Sequence, residues 1–204
     1  MNRAASMLRL LDRATTRWAF PVLGPAKGRL VRRLVERHRP RRALEIGSLF
    51  GYSAILIAGA LPPGGRLVCL EAGAFLADMV RWNVRAAGLD RRVRVVTGDA
   101  RRLIPRLRER FDFVLIDAAK EQYLAYLRKV EPRLAPGAVV VADNTKIFRR
   151  EVGPYLDHVR RSGRYQSREY DLGADAMEVS VLAGARAARR RGSRPRVAGR
   201  GVGP

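Results

Sequence analysis

Two apolar runs in this chain end on acids. "FVLID" closes on Asp117, with Lys120 three residues later, and "VVVADN" closes on Asp143 with Asn144 beside it. Carboxylates and a carboxamide gathered at neighbouring strand ends are hard oxygen donors of the kind a magnesium ion takes. The same residue types also serve as plain turn formers after a strand. Three more runs carry acids at their ends: "LEIG" with Glu45, "VCLE" with Glu71 and "TGDA" with Asp99. Glu45 precedes a turn with Gly47 and Gly51 that contains no lysine and matches neither the Gly-x-Gly-x-x-Gly nor the Gly-Lys-Ser/Thr pattern of phosphate-binding loops. An acid there repels a pyrophosphate and attracts an ammonium or a sulfonium.

The spacing of apolar residues predicts the elements that must carry these groups. Residues 6 to 18 and 25 to 38 read as amphipathic helices, broken by Pro21, Gly24 and Pro25. From there strands at 42–47, 66–71, 92–99, 111–117 and 138–143 alternate with helices at 51–61, 74–88, 100–110, 121–134 and 149–161. Gly88 suits a left-handed cap at the end of the second of these helices. "YQSREYDL" and "AMEVSVLA" alternate polar with apolar residues about "GAD", the pattern of a closing hairpin. Together these predict an α/β fold: a Rossmann-like, seven-stranded, mostly parallel sheet with helices on both faces and a C-terminal antiparallel hairpin at its edge. Ligands of such sheets bind at the carboxyl ends of the strands near the reversal of strand order, which puts Asp117 and Asp143 on the binding edge.

Composition narrows the class. A chain of 204 residues is expected to form one domain over residues 1 to 184, with residues 1 to 24 as an N-terminal helix and lid and an arginine-rich, disordered tail over 185 to 204. The single cysteine, Cys69, lies in an apolar run and reads as a buried thiol in a reducing, cytoplasmic setting. No apolar run approaches the roughly 20 residues that cross a bilayer, so no membrane partner is expected. The net charge of +22 would suit nucleic acid, yet only four of the 41 basic residues are lysine and seven arginines fall in the tail. A solvated surface and weak nucleic-acid binding through that surface and the tail both fit. His38 and His158 stand too far from one another and from the acids in sequence to suggest a zinc site.

Glu71 can accept from both ribose hydroxyls of an adenosine, and Asp99 ends the next strand beside the same pocket. With Glu45 they describe a site for a cationic adenosine ligand without phosphates, and S-adenosylmethionine is such a ligand. From about Trp18 to Leu182 the chain resembles the catechol O-methyltransferases, of the metal-dependent class I of S-adenosylmethionine methyltransferases. The stretches "RWAFPVLGPAKG", "LEIGSLFGYSA", "VCLEA", "AAGLDRRVRVVTGDARRLIPRL", "FVLIDAAKEQYL", "VVVADN" and "DAMEVSV" carry the resemblance, in the family's order and at nearly its spacing.

The resemblance implies a role for each residue. Glu45 would hold the methionine amino group, Gly47 and Val22 would line the methionine part, and Ser53 would bind its carboxylate. Glu71 with Ala72 would take the ribose, Asp99, Ala100 and Arg101 would flank the adenine, and Asp117 would border the cofactor. Asp117, Asp143 and Asn144 would bind Mg²⁺ or Mn²⁺, and Lys120 would be the general base. Glu178 would accept a hydrogen bond from the acceptor hydroxyl that is not methylated. Trp18 and Phe148 would frame the acceptor with Asn144, and Phe20 would close over the methionine part. Departures from the animal enzymes fall at Ala118 and Ala119, where those carry His and Trp, at Phe148 in place of a proline, and in one extra residue between Trp18 and Gly28. The implied activity is methyl transfer to a hydroxyl of a catechol-type small molecule, by a monomer or homodimer. Two alternatives stand beside it: a hydroxylated RNA base as acceptor, and an S-adenosylmethionine-binding protein without catalysis.

Overall fold

The computed structural model describes residues 3–18 and 21–183. The side chain of Trp18, together with Phe20 and the arginine-rich tail, lies outside the described residues. Two helices, α1 (Arg3–Trp18) and α2 (Gly24–His38), precede the alternating part. β1 (Arg42–Ile46), α3 (Tyr52–Ala60), β2 (Arg66–Glu71), α4 (Ala74–Ala86) and β3 (Val93–Thr97) form the first half. α5 (Ala100–Leu103), β4 (Phe111–Ile116), α6 (Tyr123–Val130), β5 (Leu134–Ala142), α7 (Gly153–Arg161), β6 (Tyr165–Asp171) and β7 (Ala176–Leu182) complete it.

The sheet order is β3-β2-β1-β4-β5-β7-β6, with parallel pairing from β3 through β5. The order reverses between β1 and β4, so the crevice expected of a doubly wound sheet opens above Ile46 and Ile116. β7 runs antiparallel between β5 and β6, so the hairpin's second strand lies inside the sheet and its first forms the edge. Alternate strand residues feed two cores. Val139 and Val141 pack with Val31, Ile55 and Val80 on one face, while Val140 and Ala142 pack with Phe111, Tyr123 and Tyr155 on the other. Both faces being covered explains why these strands read as unbroken apolar runs.

Helix ends follow local chemistry. Gly88 takes φ 73°, and Leu89 N–H donates to Val84 O at 3.0 Å, closing α4 in the predicted left-handed cap. Several predicted boundaries move, and the helix expected over 121–134 is α-helical only from Tyr123 to Val130. The helix expected over 100–110 stops at Leu103, because Pro105 follows in a 3₁₀ turn and lacks the donor that would continue it. α7 begins at Gly153, just before Pro154, four residues later than expected. β5 begins at Leu134, and its register with β4 shifts where Pro136 and Gly137 leave the ladder. Among the described residues no helix is long and apolar enough to cross a membrane.

Candidate active site

The turn between β1 and α3 is set by close packing. Gly47 has φ 85°, and a Cβ on it would lie 2.3 Å from the carbonyl oxygen of Asp117 at the end of β4, so no side chain fits. Glu71, at the end of β2, clamps the same turn: its Oε2 accepts from the N–H groups of Ser48 and Leu49, both at 3.0 Å, and its Oε1 from Gly73 N–H at 3.0 Å. Glu71 therefore shapes the loop as well as facing the cleft.

Glu45 is fully buried beneath this turn. Ser48 Oγ donates to its Oε2, while Oε1 has no hydrogen-bond partner. Burial pushes the carboxyl up to about 7; Ser48, and Ser53 and Cys69 beside it, temper the shift without closing a hydrogen bond onto Oε1. A buried acceptor left open is uncommon and marks a place for a donor. Cys69 is a buried thiol, raised by the same burial.

Two clefts meet over the strand ends. The first, about 490 Å³, is lined by Gly47, Glu71, Ala72, Asp99, Ala100, Arg101 and Asp117, together with Leu49, Leu76, Gln122 and Tyr126. Asp99 caps α5 by accepting from Arg101 N–H at 2.8 Å; the Arg101 guanidinium, 2.8 Å away, holds its carboxyl below the usual range. Tyr126 Oη donates to Gln122 Oε1 at 2.8 Å. The second cleft, about 450 Å³, is lined by Val22, Ser53, Tyr52, Lys120, Asn144, Ile147 and Phe148. Gly47, Leu49, Asp117 and Ala118 belong to both clefts. A smaller cleft of about 270 Å³ behind Tyr52, under α1, holds none of the strand-end acids.

Asp117 and Asp143 end neighbouring strands, and Asp143 N–H donates to Ile116 O at 3.1 Å. Asp143 is only 2% exposed. Burial first, and the Asp117 charge second, push its carboxyl up to about 6. Each acid has an ammonium at hand. Lys120 Nζ donates to Asp117 Oδ1 at 2.8 Å and to Tyr123 Oη at 2.9 Å, with the Phe148 ring centroid 5.8 Å away. Lys27 Nζ lies 2.7 Å from Asp143 Oδ1, an ion pair by distance whose angle falls outside hydrogen-bond geometry. Lys27 also donates to Asp175 Oδ2 at 2.6 Å, and Asn144 Nδ2 donates to the same oxygen at 2.7 Å.

These residues fit a divalent cation. Burial and the Asp117 charge raise the cost of charging Asp143, and a cation held by the two carboxylates removes it. Among the described residues no cluster of three or more His, Cys, Asp or Glu side chains is arranged for a metal. The donors here are two carboxylates and a carboxamide. His158 is engaged elsewhere, 2.8 Å from Glu131 Oε1.

Glu178 is a correction. It pairs in register with Ala142, and directly opposite partners share a face, so it points with Ala142 beneath α7 and away from the strand-end crevice. There it is fully buried and takes two hydrogen bonds from Arg160, at 2.8 and 2.6 Å. Like buried Glu45 and Asp143 it lines neither cleft, and what sets it apart is its register and its Arg160 partner. Sequence reasoning also missed Lys27, Asp175, Tyr52, Gln122 and Tyr126. Lys27 carried a readable signal, being one of only four lysines.

The O-methyltransferase family profile matches residues 3–183. The chain belongs to the O-methyltransferase family. This O-methyltransferase is 36% identical over 180 residues to catechol O-methyltransferase B of Danio rerio, spanning 82% of this chain and 67% of that protein. It is also 36% identical to the transmembrane O-methyltransferase of Homo sapiens over 159 residues, 74% of this chain and 54% of that one. It thus spans between about half and two thirds of the length of these relatives. A solved O-methyltransferase from Bacillus cereus in complex with SAH aligns at TM-score 0.79 and 29% identity, over 87% of this chain and 90% of that one. TomG from Streptomyces achromogenes, solved with SAM, aligns at TM-score 0.77 and 27% identity over the same shares.

Proposed function

We propose that this O-methyltransferase transfers a methyl group from S-adenosylmethionine to a hydroxyl of a catechol-type small molecule, with Mg²⁺ or Mn²⁺ at Asp117, Asp143 and Asn144. One observation carries the reading: two clefts of similar size share Asp117 as a wall, with Lys120 and Asn144 lining only the second. A nucleoside cleft and an acceptor cleft meeting at a cation-competent acid is the arrangement that transfer between two bound molecules needs.

Each residue then has work to do. The open Oε1 of Glu45 receives the methionine ammonium. Glu71 has lone pairs beyond its three backbone donors and takes ribose hydroxyls. Gln122 and Tyr126 wall the far end of that cleft, where Ala118 and Ala119 leave room. Tyr52 and Phe148 exclude water from the acceptor cleft, and Val22 and Ser53, expected around the methionine part, line this second cleft and not the nucleoside one. S-adenosylmethionine supplies an electrophilic methyl, and the cation supplies acidity to the hydroxyl it holds. In its neutral amine form Lys120, oriented by Asp117 and Tyr123, would take the hydroxyl proton and become the ammonium that pairs with Asp117.

The net charge of +22 makes a hydroxylated RNA base the competing acceptor. The deciding assay follows labelled methyl from S-adenosylmethionine onto a catechol panel and onto total small RNA, with and without chelator. Chelator-sensitive turnover of catechols supports the proposal. Site-specific labelling of RNA with no catechol turnover overturns the acceptor class.

A further inference from the structure

The loop from Asn144 to Phe148 carries a candidate metal ligand and two walls of the acceptor cleft. It is held from outside by Asp175, in the turn between β6 and β7. Asp175 Oδ1 accepts from the N–H groups of Lys146 at 3.3 Å, Ile147 at 3.2 Å and Ala176 at 2.8 Å. Its Oδ2 accepts from Asn144 Nδ2 at 2.7 Å and from Lys27 Nζ at 2.6 Å. Lys27, from the first turn of α2, then reaches Asp143 Oδ1 at 2.7 Å. One carboxylate therefore ties both residues of the "DN" pair, directly or through an ammonium.

Asn144 also has φ 57°, a left-handed conformation that non-glycine residues rarely hold without support from their surroundings. Asp175 supplies that support by fixing the two backbone N–H groups at 146 and 147. A carboxamide offers either nitrogen or oxygen, and only oxygen ligates a hard cation. With Nδ2 committed to Asp175, the ligating atom left to Asn144 is Oδ1.

Building on the metal-dependent reading above, we propose that Asp175 is a positioning residue for the metal site: it fixes which atom of Asn144 is offered to the cation. A carboxylate that merely added negative charge, or merely stapled the hairpin turn, would act on the cation equally whether or not Asn144 kept its amide. A positioning residue acts through that amide. The two roles therefore separate in a double-substitution cycle.

The experiment is a Mn²⁺ titration, followed by electron paramagnetic resonance, of the full chain with saturating S-adenosylmethionine. The proteins are wild type, Asp175→Ala, Asn144→Ala and the double variant, with S-adenosylmethionine affinity measured separately by calorimetry. Asp175→Ala should weaken Mn²⁺ binding about tenfold, the lower end of the effect of removing a group that orients a ligand. In the Asn144→Ala background the same change should weaken it by less than about twofold. Cofactor affinity should stay within about twofold throughout. Should the alanine variant fail to fold, Asp175→Asn, which keeps one acceptor oxygen, must show a smaller weakening, about threefold, that again vanishes without the Asn144 amide. Equal weakening in both backgrounds, or none, overturns the inference. Absence of Mn²⁺ binding by the wild type overturns the metal-dependent reading itself, and this inference with it.

Discussion

Replacing Glu45 by glutamine should move stability and cofactor affinity in opposite directions. Glu45 is fully buried, and burial lifts its carboxyl to about 7 from an ordinary 4.5. A carboxyl whose folded pKa is raised holds its proton more tightly when folded, so its stabilising effect is present below about pH 4.5 and is lost as pH rises to about 7. A tenfold change in proton affinity corresponds to about 1.4 kcal/mol, so the folded protein gives up about 3 kcal/mol across that window. Glu45→Gln keeps the shape and the acceptor for Ser48, and removes the charge. At pH 8 the variant without ligand should therefore unfold at higher urea than wild type, with the difference shrinking toward pH 5. Its S-adenosylmethionine affinity should fall, because the open Oε1 no longer offers a charge to an ammonium. A charge-assisted hydrogen bond contributes about 1.5 to 3 kcal/mol, or roughly 10- to 150-fold in dissociation constant. Urea melts at pH 5 and pH 8 with calorimetry at pH 8 measure both. An affinity unchanged within twofold, or a wild-type stability as high at pH 8 as at pH 5 relative to the variant, would refute the reasoning.

Three other substitutions test the remaining parts. Glu71→Ala should weaken S-adenosylmethionine binding by about 1.5 to 3 kcal/mol and also raise hydrogen exchange at Ser48, Leu49 and Gly73, whose N–H groups lose their acceptor; unchanged exchange would mean that Glu71 does not clamp the turn. Asp143→Ala should lower methyl transfer by at least about 100-fold with cofactor binding nearly intact, and full activity of the wild type in excess chelator would remove the metal from the mechanism. Glu178→Gln should cost roughly 2 kcal/mol of stability, since Arg160 loses its buried charge partner, yet leave kcat within about twofold. A large loss of kcat with normal stability would return Glu178 to the site.

Chain order alone made the apolar strands legible, because strands covered on both faces read as unbroken runs whose ends are marked by acids and glycines. The cap at Gly88 was local too, being dictated by backbone conformation within one turn, whereas the close approach that demands glycine at 47 comes from Asp117 at the end of β4. The strand-end reading put Asp143 on the binding edge, and the resemblance put Glu178 beside the same site. What separated them is pairing. β5 ends at the crevice and leaves Asp143 buried beside the end of β4, with Asp117 as its charged neighbour, whereas β7 enters antiparallel beside β5 and sets Glu178 opposite Ala142, under α7. Register between strands so far apart in sequence is decided by the whole sheet, and a one-residue change would reverse the face. The tie from Lys27 to Asp175 spans 148 residues and was invisible for the same reason. Gln122 and Tyr126 reach the nucleoside cleft only because the turn before α6 and the helix itself lie against that edge of the sheet. Sequence thus determined which chemical groups stand at strand ends and in what order; tertiary structure decided which of them face one another, because facing depends on register and helix placement that no local pattern encodes.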